Sequence, residues 1–452
     1  MEFLKNKKIA ITPASPLCIS FARQLEKNGF LIECFFDSKK TGENIFKPSD
    51  ISKKEIDFLL IYNELFFKEI YKNFLNYFPK EKIFKVQKTK EGYKLLDYKE
   101  IKKMLIKQKL ENIKISFYNK IQIFLTKAID ILKIKRKKIL FLSKDNLGSN
   151  QKYLYNYIKK DKVLITSKEF NTLKSYITIS FAKYIIVEQV IYEYFNNFSK
   201  NQKTIQLWHG VGLKKLNVVD IEYDYFISTS TWTNESNFKH RFRAKEFLNL
   251  GYPRCDIFFR ELNKQDLWLC DKEILSLSKK HKTILYMPTY RDDEDKNIPL
   301  LDFEKLNDFC KEMKIFFILK LHPFIKKEFQ KSYSNIVFYN SQTDIYPILK
   351  YTDILVSDYS SVMYDFLLLD KEMIAFVYDK EEYEKTRGGF LYDYDKMTPA
   401  IQVKTQNELQ KAIKDIFNSK IDMKQKREEI KKMFFDFYDG ESCKRICEKI
   451  CH

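Results

Sequence analysis

The sequence predicts an α/β chain: two Rossmann-like lobes in tandem, preceded by a smaller Rossmann-like α/β domain and a basic helical connector. Three observations predict this. Short apolar runs of strand length alternate with amphipathic stretches of helical length, the repeating unit of a parallel sheet. That alternation is interrupted by a charged helical stretch after residue 97 and restarts near residue 138 and near residue 250. At 452 residues the chain is also too long for one small core. The expected units are 1–97, 98–137, 138–250 and 251–452.

In chain order, a strand is expected at Lys8–Thr12, then a turn containing Pro13, Ser15 and Pro16, a helix over about Cys18–Asn28 and a strand at Phe30–Phe36. Asp37 ends that second strand, where a dinucleotide fold holds its ribose. No Gly-rich fingerprint follows the first strand, so a purely structural unit is the better expectation. A third strand is expected at Asp57–Tyr62. Residues 98–138 read as one or two basic helices, with Ile101, Met104, Leu105, Ile113, Phe117, Ile121, Phe124, Leu125, Ile129 and Leu132 recurring at three-and-four spacing. Such a stretch suits either an anionic membrane surface or a solvated connector. Strands of the first lobe are expected at Ile139–Ser143, Tyr184–Val187, Thr204–Leu207 and Tyr225–Ser228, with a helix near Gln151–Lys159. Those of the second are expected at Thr283–Met287, Ile315–Leu321, Ile354–Ser357 and Met373–Val377.

The formal charge is +20, nearly all from Lys, in a chain also rich in Ile, Asn, Phe and Tyr. An AT-rich coding sequence produces this bias without functional cause. Its clustering is more informative: Lys99 to Lys138 holds 13 basic residues against 3 acidic ones. This favours a polyanionic partner, nucleic acid, anionic lipid or a phosphate polymer. No recognised nucleic-acid motif accompanies the charge, so nucleic acid is the least favoured of the three. Met1–Lys8 runs directly into an apolar strand, without the pattern of a signal peptide. No apolar run approaches the ~18 residues of a membrane span. The expected compartment is the cytosol with reduced Cys, any membrane contact being peripheral.

The chemistry-bearing segments fall where predicted strands end. His209 follows Gln206-Leu-Trp208 and enters a turn with Gly210, Val211, Gly212 and Leu213. Glycines there permit close backbone approach to a ligand, and a strand-end His can take a proton near neutral pH. His322 follows Lys320 and Leu321, and Pro323 stops the strand; alternation points Lys320 and His322 to one face, a pairing suited to phosphate. Ser357-Asp-Tyr-Ser360-Ser361 passes from a strand into a helix, whose first amides and hydroxyls suit a pyrophosphate. Gly251-Tyr-Pro-Arg254-Cys-Asp256 offers a guanidinium, and Met287-Pro288-Thr289-Tyr-Arg291 offers a hydroxyl and a second guanidinium. His240, His281 and His452 sit among polar residues and are expected at the surface. Cys443, Cys447 and Cys451 form a helical stripe beside His452, at a spacing that matches no common zinc pattern and favours a structural role.

Taken in order, Gln-Leu-Trp-His-Gly, Gly-Tyr-Pro-Arg-Cys-Asp, Met-Pro-Thr-Tyr-Arg, Lys-Leu-His-Pro, Ser-Asp-Tyr-Ser-Ser and the late Tyr438-Asp-Gly-Glu-Ser442 resemble the CDP-glycerol glycerophosphotransferase family of teichoic-acid-type polymerases and primases, over about Lys138–Cys447. The resemblance implies a GT-B-like fold, with the acceptor on the first lobe and a CDP-linked donor held mainly by the second. It implies that His209 deprotonates the acceptor hydroxyl and that His322, with Lys320, stabilises phosphate charge. It further implies that Ser360 and Ser361 hold the pyrophosphate and that Asp365 contacts the donor's alcohol or ribose. Gly210, Val211, Gly212, Leu213, Arg254, Pro288, Thr289 and Leu321 would line the donor site. No cofactor or metal is implied, since cations and helix dipole can neutralise departing CMP. The family usually carries Thr-Pro where this chain has Val211-Gly212, so the transferred alcohol can differ from glycerol.

The expected function is transfer of a glycerol-phosphate or related polyol-phosphate unit to a membrane-associated acceptor or a growing teichoic-acid-like or capsule-like polymer. A nucleotide-sugar glycosyltransferase of the same fold is the alternative. A non-catalytic basic adaptor acting through residues 99–138 is the third reading.

Overall fold

The computed structural model describes residues 2–89, 92–144, 149–159, 161–189, 198–215, 218–289, 291, 301–321, 332–339, 343–386 and 389–450. The chain divides into two compact units, Met1–Phe117 and Tyr118–His452.

The first unit carries β1 (Lys8–Thr12), β2 (Leu31–Phe36), β3 (Ile45–Phe46), β4 (Phe58–Ile61), β5 (Ile83–Thr89) and β6 (Gly92–Leu96), in spatial order β3-β2-β1-β4-β5-β6. All neighbours are parallel except the β5–β6 hairpin. Side-chain alternation explains why this sheet is covered on both faces. Ile9, Ile11 and Leu60 join Phe21 and Leu25 in one core, while Ala10, Leu59 and Ile61 join Phe36 and Phe74 in another. The helix between β1 and β2, Pro16–Lys27, is capped by Ser15, whose side chain accepts from the Cys18 amide. Asp37 is consumed locally: its carboxylate accepts from the Ala14, Lys39 and Lys40 amides at 2.8–3.0 Å. It ties the β1 exit to the β2 exit, as a structural rather than a ribose-binding carboxylate would.

Residues 98–131 form one helix, Tyr98–Ile131, 34 residues long, rather than two. At 1.5 Å per residue it extends about 50 Å.

The second unit holds two further six-stranded sheets. One comprises β7 (Lys138–Ser143), β8 (Lys162–Thr166), β9 (Ala182–Val187), β10 (Lys203–Gln206), β11 (Glu222–Ile227) and β12 (Arg243–Leu248), ordered β12-β11-β10-β9-β7-β8. The other comprises β13 (Thr283–Tyr286), β14 (Phe316–Lys320), β15 (Ile336–Tyr339), β16 (Ile354–Ser357), β17 (Met373–Phe376) and β18 (Ile401–Val403), ordered β15-β14-β13-β16-β17-β18. Every pairing in both is parallel. Strand order reverses between β7 and β9 in the first lobe and between β13 and β16 in the second. Open parallel sheets bind ligands at the carboxyl ends of strands beside such a reversal. Alternation again sorts the core: Ile284, Phe317, Leu319 and Val356 face one side of the second-lobe sheet, while Leu285, Ile318 and Leu355 face the larger core shared with the first lobe.

The chain's last helix, Ser442–Ile450, returns to the first lobe. Asp256 caps it, accepting from the Ser442 and Cys443 amides at 2.9 and 2.8 Å. Gly251, at φ +86°, leaves no room for a Cβ beside Ser442 Oγ. The Gly-Tyr-Pro-Arg-Cys-Asp and Asp-Gly-Glu-Ser segments are therefore two sides of one joint. Cys443 is buried beneath that cap; Cys451 and His452 lie outside the described residues. His240 and His281 are exposed, as their sequence surroundings predict.

Candidate active site

The predicted site segments gather at the carboxyl ends of both lobes' strands. β10 ends at Gln206, and Trp208 then adopts a left-handed backbone (φ +54°), which costs about 1–2 kcal/mol in an L-residue. Buried polar groups hold it there. Gln206 Oε1 accepts from the Trp208 amide at 2.9 Å, and Asn150 Nδ2 donates to the Trp208 carbonyl at 2.9 Å. The Trp208 ring packs against Phe242 and against the imidazole of His209, 4.0 Å between centroids. Strain of this kind concentrates at functional sites.

His209 is exposed, its ring set against the buried Trp208. Its Nδ1 lies 3.3 Å from the Glu188 carbonyl. A carbonyl only accepts, so Nδ1 carries the proton in the neutral ring and the lone pair sits on Nε2. Burial depresses the pKa to about 4, the Glu188 carbonyl raises it, and the nearby Arg254 charge lowers it further. At neutral pH the ring is a free base with the right nitrogen open.

Across the lobes, the His209 turn lies directly on Ser361. A Cβ on Gly210 would stand 2.6 Å from Ser361 Oγ and 3.1 Å from its Cβ; one on Gly212 would stand 3.3 Å from Ser361 Cβ. These two glycines let the base loop and the serine pair touch. Val211 and Leu213 are buried at 1% and 4% exposure, so what that turn offers a ligand at these two positions is main chain. Leu213 O also accepts from the Leu391 amide at 2.6 Å, a second tie between the lobes.

Arg254 binds these parts together. Its guanidinium is 4% exposed. It donates to the His209 carbonyl at 2.8 Å, to Ser149 Oγ at 3.2 Å and to Asp365 Oδ2 at 2.6 Å. Burial works against the Arg254 charge, but the Asp365 carboxylate outweighs it and the pKa ends above its ordinary value. Asp365 is wholly buried and also accepts from Tyr346 Oη at 2.6 Å. Sequence reasoning gave Asp365 a ligand contact; the geometry displays the counter-ion of Arg254, with Oδ1 buried and, among the described residues, without a partner.

Ser361 stands at the N-cap of the helix Val362–Phe366, yet its side chain makes no capping bond there; Ser360 Oγ accepts weakly from the Val362 amide at 3.4 Å. With five residues this helix contributes little dipole, so the sequence argument from a helix N-terminus reduces to two hydroxyls and nearby amides. Pro288 is buried and Thr289 half-buried at the β13 exit. The Thr289 amide donates to Asp358 at 2.9 Å, and among the described residues its buried hydroxyl has no partner. Arg291, the second guanidinium the sequence offered at this turn, is held by Asp358 and Asp379 at 2.8–2.9 Å. Lys320 ends β14, with Leu321 buried beside it. Burial lowers the Lys320 pKa to about 8, partly offset by Asp344. His322 lies outside the described residues. The site thus joins His209, Gly210, Gly212, Arg254, Ser361 and Asp365 in direct contact.

A family model for CDP-Glycerol:Poly(glycerophosphate) glycerophosphotransferase matches residues 124–452. The chain belongs to that family. It is 29% identical to a teichoic acid poly(glycerol phosphate) polymerase of Bacillus spizizenii over 349 residues, 67% of this chain and 85% of that one. It is 28% identical to the teichoic acid ribitol-phosphate polymerase TarK of Staphylococcus aureus, covering 64% of this chain and 65% of that one. The solved wall teichoic acid polymerase TagF superposes with a TM-score of 0.60 at 22% identity, over 78% of this chain and 95% of that chain. That likeness gives the glycerophosphotransferase its GT-B-like fold.

Several polar residues of the site carried no motif. Glu188, at the β9 exit, is buried and accepts from the Gln151 amide at 2.9 Å and from Ser149 Oγ at 3.3 Å. Burial raises its pKa against those bonds. Asn150 accepts from the Arg254 amide, and Gln151 Nε2 donates to the carbonyls of Leu142 and Ile186. A lone acid closing an apolar strand and three polar residues opening a buried helix were the available signals.

Proposed function

We propose that this chain transfers a glycerol-phosphate or related polyol-phosphate unit from a CDP-linked donor to a hydroxyl of a membrane-associated acceptor or growing teichoic-acid-like or capsule-like polymer, releasing CMP. The observation that carries the reading is the seam between the His209 turn, which follows β10 of the first lobe, and Ser361, which follows β16 beside the strand-order reversal of the second. His209 Nε2 takes the proton from the acceptor hydroxyl, whose oxygen attacks the phosphorus proximal to the polyol. The bond from that phosphorus to the bridging oxygen breaks, and the oxygen leaves with CMP. Ser360, Ser361 and Lys320, with His322, neutralise the diphosphate. The first lobe receives the acceptor, and the second, with Pro288, Thr289 and Leu321, holds the donor. Arg254 and Asp365 border the donor while fixing the His209 turn.

The placement is peripheral, on the inner face of the cytoplasmic membrane. Among the described residues no helix is long and apolar enough to cross a membrane. On the helix Tyr98–Ile131, Ile106, Leu110, Ile113, Phe117, Phe124 and Ile131 are 51–79% exposed at spacings of four, three, four, seven and seven, one apolar stripe among lysines. That combination suits an anionic lipid surface.

The test is a donor screen with a crude membrane fraction as acceptor source. CMP release from CDP-glycerol or CDP-ribitol supports the proposal. Nucleotide release only from nucleotide sugars, with a glycosidic product, overturns it.

A further inference from the structure

Asn150 is fully buried at the start of the helix Ser149–Tyr157, and no step of the reaction above uses it. Both ends of its carboxamide are engaged. Nδ2 donates to the Trp208 carbonyl at 2.9 Å, and Oδ1 accepts from the Arg254 amide at 3.2 Å. The orientation is forced, because the amide turned over would set its N–H groups against a donor and its oxygen against a carbonyl. A carboxylate of the same shape only accepts, and an aliphatic side chain does neither.

The two partners of Asn150 flank the base. The Trp208 carbonyl belongs to the peptide that enters His209, so Asn150 fixes the plane of that peptide. Gln206 Oε1 holds the Trp208 amide at 2.9 Å from the other side, and the left-handed Trp208 residue is pinned at both its polar ends. The Arg254 amide lies in the turn Pro253–Phe259, and the Arg254 guanidinium donates to the His209 carbonyl at 2.8 Å. The peptide that leaves His209 is therefore fixed through Arg254. Between these two planes the imidazole sets Nδ1 3.3 Å from the Glu188 carbonyl and stacks on Trp208, 4.0 Å between centroids.

We infer that Asn150 is a positioning residue for the transfer reaction: one buried carboxamide brackets the base, holding the peptide before His209 directly and the peptide after it through Arg254, so that Nδ1 stays on the Glu188 carbonyl and Nε2 faces the acceptor hydroxyl. Removing the carboxamide takes a hydrogen-bond partner from a buried carbonyl and a buried amide. It also takes a restraint from the strained Trp208 backbone, which relaxes and carries the imidazole off the Glu188 carbonyl. The neutral ring then populates the Nε2–H form, which has no lone pair at the nitrogen that must take the proton. The inference rests on the proposed role of His209 as base, while the bracket rests on the hydrogen bonds alone.

A second buried carboxamide of the same lobe provides the comparison. Gln202, 2% exposed, donates through Nε2 to the carbonyls of Ile179 and Ala182 at 2.7 and 2.9 Å, at the opposite end of β10 from His209. The experiment compares wild type, Asn150→Leu, Asn150→Ala and Gln202→Ala. CMP release from CDP-glycerol is measured, together with long-range 1H–15N spectra of 15N-histidine-labelled protein at neutral pH, which distinguish the two neutral tautomers; His209 is assigned through His209→Ala. Asn150→Leu keeps the bulk of the side chain, and Asn150→Ala serves if leucine does not fold. Both should lose the Nδ1–H pattern and release CMP on the order of 100-fold more slowly, the effect of displacing a reacting group by about 1 Å, with the loss in kcat rather than in KM for CDP-glycerol. Gln202→Ala should lower the melting temperature and leave tautomer and kcat as in wild type. A wild type without the Nδ1–H pattern, a folded Asn150 variant with wild-type tautomer or wild-type kcat, or the same two changes in Gln202→Ala overturns the inference. If wild type releases no CMP while the Asn150 variants alone lose the Nδ1–H pattern, the donor reading fails and the bracket stands.

Discussion

Replacing Arg254 with methionine removes the charge that balances Asp365. Among the described residues Asp365 would keep only the Tyr346 hydroxyl at 2.6 Å, its Oδ1 having no partner there. With both side chains at 4% exposure or less, breaking such a pair from one side costs about 3–5 kcal/mol, most of it the stranded carboxylate. For a folded unit of this size, each kcal/mol lowers the melting temperature by about 2 °C, so Arg254→Met should melt about 6–10 °C lower. Trp208, Trp232 and Trp268 are the chain's three tryptophans and all lie in the second unit, so a tryptophan-fluorescence melt reports that unit alone. Adding Asp365→Leu should restore most of the loss, because the double variant strands no charge. An Arg254→Met melt indistinguishable from wild type, or a double variant less stable than the single one, would refute the assignment of Asp365 as its counter-ion.

Three further outcomes are expected. With the His209 pKa at about 4, the acid limb of kcat/KM should fall near pH 4 rather than near the ordinary ~6.5 of histidine. The unfolded chain binds the extra proton between those values, so this residue's contribution to stability is lost as pH falls from 6.5 toward 4; a limb at 6.5 would contradict the tautomer and burial argument. Gly210→Ala should reduce turnover by pushing Ser361 away, and Ser361→Gly in the same chain should recover part of the lost packing, read as a higher melting temperature than Gly210→Ala alone. Protein should sediment with anionic vesicles at low salt and be released as salt rises, and replacing Ile106, Leu110, Ile113 and Phe117 by Ser should abolish sedimentation; unchanged sedimentation would remove the lipid-surface role.

The central strands were legible because parallel strands buried on both faces read as continuous apolar runs: Ile139–Ser143, Ile354–Ser357 and Met373–Val377 all match the observed β7, β16 and β17 closely. The strands not anticipated include both edges of every sheet, β3 and β6, β8 and β12, β15 and β18. Edges pair on one side only and tolerate charge, as in Arg243-Ala-Lys-Glu-Phe-Leu of β12, and no apolar run marks them. Within the site, His209, Gly210 and Ser361 were legible because turns at strand ends carry small residues and a titratable group together. Their counter-ions were not. Asp365 lies 111 positions from Arg254 and Asp344 lies 192 from Lys152, and a single sequence gives no sign of which distant carboxylate a buried cation will meet.

The account stands most directly on His209 as the base. At saturating CDP-glycerol, with the same acceptor membranes, His209→Ala should melt within a degree or two of wild type and release CMP at least about 100-fold more slowly, the usual loss when a positioned base is removed. CMP release at the wild-type rate by a folded His209→Ala protein would contradict it.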